Sequence, residues 1–318
     1  MNKQERVSES DKAVTFRRAY EEFRLRCDSR NLSEGTLAWY RQVLGGLERF
    51  LVQRYEVLNM NEITAGHIRA YLSQLKAREL SSETVHRGYG GMRCFFKFLL
   101  REGLIRSNPM ELVERPKRES HMIQPLQPEQ VRALLEQANQ KTFLGLRNKV
   151  LMLFMLDSAL RLTEALRLKL SNVDVAGGTA LVMGKGRKER RVPFAKVTRQ
   201  ALEAYLIARR RIVVASDLLF ISRHGGELTS RHVQIMVKRY GALAGIQGVR
   251  VSPHTLRHTC ATQYILNGGD PFSLQKILGH STLEMVRIYV NLANRDVYDA
   301  HRRFSPMDRM LSPQLAAP

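Results

Sequence analysis

Cysteine is scarce in this 318-residue chain, acidic residues are outnumbered, and no apolar run is long. Cys27, Cys94 and Cys260 are isolated and odd in number, with no CxxC pair, so neither a disulfide framework nor a thiolate metal site is expected. A reducing cytoplasm fits that usage. The longest apolar stretch, VLMLFML at 150–156, falls far short of the roughly 20 residues a membrane span needs and predicts a buried helix instead. The opening MNKQERVSESDK is polar and mixed in charge, without the apolar stretch of a secretory signal. Internal repeats and low-complexity tracts are missing as well.

What is abundant is positive charge. Lys and Arg number 51 against 30 Asp and Glu, a net charge of +21 and a pI near 10.4. Such a field attracts polyanions, nucleic acid first among them, because Lys and Arg neutralise phosphates. Residues 1–120 carry 22 basic and 16 acidic side chains and residues 121–318 carry 29 and 14, so both halves could hold one polyanion. At this level a ribosome-like or merely basic protein remains the alternative.

The length suits two domains. Residues 15–104 place apolar side chains three and four apart, as in Phe16, Tyr20, Phe23 and in Leu37, Tyr40, Leu44, Leu47, which predicts helices. Ser33, Thr64 and Ser81 each precede such a segment as N-cap residues, and Gly103 ends the last. RSNPMELVERPKRESHMIQPLQPEQ then brings four prolines and cannot continue a helix. These signals divide the chain into a polar segment 1–14, a helical domain 15–105, a linker 106–125, a second domain 126–300 and a tail 301–318. The second domain reads as helices at PEQVRALLEQA, at Leu144–Leu156 and along LRLTEALRLKL. TALVMGKGRKERRVPF at 179–194 reads as a β-hairpin, and helical spacing returns after Val197, after Thr229 and from Pro253 onward. The expected fold class is mainly α with one small antiparallel β-sheet.

Three short motifs carry chemistry. In HTLRH, His254 and Arg257 are three apart and share a helix face behind Pro253, a good first-turn residue. His254 and His258 at i, i+4 could suggest zinc, but the Glu of HExxH and a third ligand are missing, so no metal is expected. A capped helix with a satisfied histidine is the bland alternative. In LGHSTLEMVRIY, Ser281 and Glu284 form a capping-box pattern that starts a helix at Thr282 and sets His280 at its positive end, where an anion is welcome. Tyr289 on that helix is, taken alone, a core aromatic. Arg161 in DSALRLTEAL follows the most apolar helix and either pairs with Glu164 or awaits an anion.

Taken in order, Arg161, Lys185, His254, Arg257, His280 and Tyr289, in ALRLTE, GKGRKER, PHTLRHTCAT, LGHS and the final Tyr, resemble the active site of the tyrosine recombinases, the phage-integrase and Xer family. The likeness covers residues 126 to about 295, and the helical first region is similar in type to the family's SAM-like core-binding domain. Ala159 stands where the family commonly has Gly, one methyl more beside Arg161. The resemblance implies DNA cleavage by Tyr289, giving a 3′-phosphotyrosine and a free 5′-hydroxyl. Arg161 and Arg257 would bind the phosphate oxygens, with His254 and His280 donating to the same oxygens or handling the proton. Lys185, a hairpin-turn lysine otherwise, would protonate the departing 5′-oxygen. Ionising a phenol at neutral pH costs about 4 kcal/mol, which the surrounding cations are expected to offset largely. Glu164 would support one of these cations, or form an ordinary helix salt bridge. One phosphoester replaces another, so no cofactor, metal or ATP is implied.

The same resemblance makes ELTSRHVQIMVKRYGALAGI a major-groove helix with Arg231, Gln234, Lys238 and Arg239 as contacts; a solvated basic face is the alternative. In the first domain Arg41, Arg87, Arg93 and Lys97 are candidate backbone contacts, and the two domains would clamp double-stranded DNA. The tail AHRRFSPMDRMLSPQLAAP, with Phe304, Met307, Met310 and Leu311, would dock on a neighbouring protomer of a tetramer on two DNA sites, unless it is a plain disordered terminus. No extra arm-binding domain is expected, since the first helix begins near residue 15. The competing functions are a type IB topoisomerase-like strand transferase and a catalytically silent DNA-binding accessory protein.

Overall fold

The computed structural model describes residues 14–117, 124–184, 188–212, 216–293, 301–302 and 305–311. The chain divides into two compact units, Met1–His121 and Met122–Pro318.

Unit 1 is built from α1 (Phe16–Ser29), α2 (Glu34–Tyr55), α3 (Ala65–Ala77) and α4 (Ser82–Arg101). Each begins at a hydroxyl: Thr15, Ser33, Thr64 and Ser81 accept from the N–H of Arg18, Thr36, His67 and Thr84. Such caps are worth about 1 kcal/mol each. Between them the apolar faces meet in a core of aromatic rings, with Phe23 edge-on to Phe95 at 5.3 Å. The segment expected to be a linker from residue 106 stays on this core instead. Ile105, Met110 and Val113 are buried in it, Tyr89 donates to the Val113 carbonyl at 2.9 Å, and Arg69 donates to the Leu112 carbonyl at 3.1 Å. Gly103, at φ of +70°, stops helix α4, and the prolines beyond it do not detach the chain, because the apolar side chains between them have a face to bury against.

Unit 2 contains α5 (Pro128–Glu136), α6 (Phe143–Asp157), α7 (Leu162–Leu166), the strands β1 (Val173–Asp174), β2 (Thr179–Met183) and β3 (Glu189–Pro193), then α8 (Lys196–Arg209), α9 (Ser230–Leu243), α10 (Pro253–Leu266), α11 (Pro271–Leu278), α12 (Glu284–Ala293) and α13 (Pro306–Leu311). VLMLFML lies in α6, where Val150, Leu151, Met152, Phe154 and Met155 are fully buried. The sheet is antiparallel in the order β1-β2-β3, with Val182 opposite Arg190 and Ala180 opposite Val192; β1 carries no signal in the sequence reading. LRLTEALRLKL is not one helix. It leaves α7 after Leu166 because Leu168 and Leu170 pair with the 217–219 segment, Leu219 N–H donating to the Leu168 carbonyl at 2.7 Å. Helix α10 is buried along most of its length, and Cys260, Ala261 and Ile265 join Leu274, Leu278, Val286 and Tyr289 in a second apolar cluster. No described helix is long and apolar enough to cross a membrane.

Candidate active site

Glu164 is the centre of the site. It sits in the first turn of α7, 6% exposed, and its carboxylate accepts the main-chain N–H and Nη1 of Arg161, both at 2.9 Å. From β3, Arg190 grips the same carboxylate with two further bonds of 2.9 Å, Nη1 to Oε1 and Nη2 to Oε2. Arg257 Nη1 stands 3.9 Å from Oε2. Burial alone would raise the Glu164 pKa, but the hydrogen bonds from Arg190 and Arg161 outweigh it and hold it below the usual range. One ionised carboxylate therefore faces three guanidiniums. Arg190 is the residue that sequence reasoning missed; the available signal was its alternation with buried Val192 on one face of β3.

Arg257, 5% exposed on α10, donates through Nη1 to the Ala159 carbonyl and through Nη2 to the Leu278 carbonyl at 2.8 Å. Desolvation, and next Arg161, lower its pKa to about 10, which leaves it charged at neutral pH. Ala159 is fully buried with φ of +50°, the left-handed region. The extra methyl beside Arg161 thus bears on the backbone rather than on packing, since a Cβ in that region costs on the order of 1 kcal/mol.

His280 follows Gly279, the left-handed C-cap of α11. Its Nε2 lies 3.2 Å from Arg257 Nη2. A guanidinium only donates, so Nε2 accepts and the proton is assigned to Nδ1. Among the described residues Nδ1 is buried without a partner. Burial first, then Arg257, Arg161 and Arg190, depress the His280 pKa to about 4, so the ring is neutral at pH 7 and offers an unused N–H.

His254 is exposed in the first turn of α10, its pKa lowered by desolvation and then by Arg257. Tyr289 is 8% exposed within the second apolar cluster, its ring 5.1 Å from that of His258. Burial raises its pKa and prevails over Arg257 and Arg161, which lower it, so the expected offset by cations is not realised with the phenol seated here. The expected start of its helix at Thr282 is also corrected. Helix α12 begins at Glu284, with the Leu283 carbonyl accepting from Val286 and Arg287, so Ser281 is not the cap. Lys185 lies outside the described residues. Among the described residues no group of three or more His, Cys, Asp or Glu could hold a metal ion.

Residues 124–295 match the phage integrase family and residues 27–103 the phage integrase N-terminal SAM-like domain. A XerC tyrosine recombinase of Bacillus licheniformis is 34% identical over 286 residues, 86% of this chain and 91% of the relative. The chain belongs to the phage integrase family. It is a tyrosine recombinase, an enzyme of site-specific DNA recombination whose family works through a phosphotyrosine. Its fold is that of the XerH site-specific recombinase bound to palindromic difH substrate in a post-cleavage complex, with TM-score 0.72, 22% identity and coverage of 97% of this chain and 90% of that one. The Tn1549 transposon integrase in complex with a circular intermediate DNA also shares it, with TM-score 0.73, 19% identity and coverage of 94% and 100%.

On α9 of the recombinase, Arg231, Gln234 and Lys238 are exposed on the side opposite buried Val233, Met236 and Val237, while exposed Arg239 lies on the flank. In unit 1 Arg41, Arg87, Arg93 and Lys97 are exposed, with the Arg87 guanidinium 5.6 Å from the Trp39 ring centroid. None of these eight residues joins an ion pair among the described residues.

Proposed function

We propose that Arg161, Arg257 and His280 bind the nonbridging oxygens of one scissile phosphate in double-stranded DNA, and that Tyr289 attacks it. The observation that carries this reading is that the guanidiniums of Arg161 and Arg257 both stand within 3.9 Å of one buried carboxylate, with the His280 ring against Arg257. The bond formed is Tyr289 Oη to phosphorus, the bond broken is phosphorus to the 5′-oxygen, and Lys185 supplies the proton that leaves with that oxygen. His254 donates to the phosphate or takes the phenol's proton. Because the ester bonds exchanged are of one kind, the step runs in either direction, without ATP, and the site needs no metal.

Arg231, Gln234, Lys238 and Arg239 contact DNA from α9, and Arg41, Arg87, Arg93 and Lys97 from unit 1, in the cytoplasm where the substrate lies. Charge release at these contacts makes binding fall steeply with salt. The exposed Met307, Met310 and Leu311 on α13, at 56, 74 and 75%, support docking of the tail on another subunit and a tetramer on two sites rather than a lone topoisomerase-like monomer.

The test is a covalent-adduct assay on nicked duplexes from the protein's genomic neighbourhood, with a chelator present. The expected result is a denaturant-resistant protein–DNA adduct that vanishes in Tyr289→Phe. An adduct that survives this substitution, or that requires magnesium, overturns the reading.

A further inference from the structure

We propose that Arg190 is a positioning residue: by saturating the Glu164 carboxylate it keeps the N–H groups of Arg161 and Arg257 free for the scissile phosphate. The inference rests on the phosphate site proposed above. A carboxylate offers about four lone-pair positions. Here all four are taken, two by Arg161 through its main-chain N–H and Nη1, and two by Arg190. Arg257 is left outside at 3.9 Å. Arg161 spends a single guanidinium N–H on the carboxylate, and its side chain remains 37% exposed. The buried ion pair with the best geometry thus belongs to the arginine that the phosphate site does not use.

The remainder of the Arg190 side chain is held for this purpose. Its Nε donates to the Ile277 carbonyl at 2.9 Å, and its guanidinium lies over Gly279, where a Cβ would come within 3.0 Å of Nε. Gly279 leads directly into His280. Arg190 therefore ties β3, α7 and the His280 turn together, at 13% exposure, through contacts that fix the plane of its fork.

Without Arg190, two lone pairs of a side chain only 4% exposed would lose their partners. Leaving a buried charge half-paired is costly, and the nearest donors are those of Arg257 and Arg161. Drawing Arg257 from 3.9 Å into bonding distance moves it by about 1 Å, and a displacement of that size in a phosphate-binding group costs about 10²-fold in rate.

The experiment compares wild type, Arg190→Met, Arg190→Lys, Glu164→Gln and the two double variants with Glu164→Gln, measuring single-turnover adduct formation at saturating DNA beside the DNA dissociation constant. Arg190→Met is expected to form adduct about 10²-fold more slowly with DNA affinity within about threefold of wild type, and Arg190→Lys to be intermediate. Glu164→Gln should speed Arg190→Met by about tenfold, because a neutral amide no longer pulls on the other arginines. Should Arg190→Met fail to fold, the same comparison is read from Arg190→Lys with and without Glu164→Gln. An Arg190 variant at the wild-type rate, or a double variant no faster than its Arg190 parent, overturns the proposal. Tyr289→Phe separates the two readings: adduct from that variant removes the phosphate site itself, whereas its silence beside a normal Arg190 variant removes this inference alone.

Discussion

Unit 1 and unit 2 are stabilised differently. Among the described residues, every buried charged or non-aromatic polar side chain lies at or beyond Arg147, in unit 2. Unit 1 closes on apolar and aromatic side chains alone. In unit 2 the buried Arg209 and Arg257 donate mainly to main-chain carbonyls, those of Leu218 and Ala159 among them, Arg147 donates to the Ile221 carbonyl and twice to Asn148 Oδ1, and among the described residues Glu164 is the only buried carboxylate. A region that fills carbonyl dipoles with guanidiniums keeps positive charge in its interior. Burying those charges opposes stability, and on the proposed reading the return is a low-dielectric site in which donors would act strongly on a phosphate.

This contrast can be broken at several points. The largest effect is expected in the apolar unit, where Phe95→Ala should cost ~3–5 kcal/mol. Denaturant unfolding measures the loss, and adduct formation at a temperature where the variant is folded should stay within about threefold of wild type. Next comes Arg257→Lys, which keeps the charge but loses the fork; single-turnover cleavage should fall ~10²–10³-fold, and a decrease under about tenfold would mean that the guanidinium's geometry is idle.

A smaller effect follows from acid. The folded His280 pKa of about 4 lies below its ordinary 6.5, so between these values the unfolded chain binds a proton that the folded chain does not. Stability should therefore decline as pH falls from 6.5 toward 4, with His254 contributing in the same direction and Glu164, whose pKa is lowered, contributing only below its ordinary 4.5. Melting temperatures across this window should show a shallower slope in His280→Asn, and an unchanged slope would remove His280 as the cause. The smallest expected difference separates two left-handed residues. Glu56, the exposed C-cap of α2 at φ of +53°, should gain about 1 kcal/mol on replacement by Gly. Ala159→Gly should gain little, since it also gives up a buried methyl worth about 0.8 kcal/mol.

Much of the fold was legible wherever the signal is local. Thr64, Ser81 and Thr229 cap the helices they precede because a cap bond spans only three residues. VLMLFML became a buried helix for its composition. The misreadings share a different cause. LRLTEALRLKL has helical spacing, yet Leu168 and Leu170 find partners near residue 218, and 106–113 carries breakers yet packs on unit 1. Long-range partners overrode local pattern in both.

The amino-acid sequence alone determined which groups could do chemistry here: the ordered cations, the histidines and the phenol, each within a motif of a few residues. Only the tertiary structure decided how they are wired. Glu164 meets Arg190 across 26 positions, Arg190 reaches the Ile277 carbonyl across 87, and Arg257 reaches Ala159 across 98. A hydrogen bond requires atoms about 3 Å apart, and for residues so distant along the chain that separation is set by the packing of β3, α7, α10 and α11 against one another.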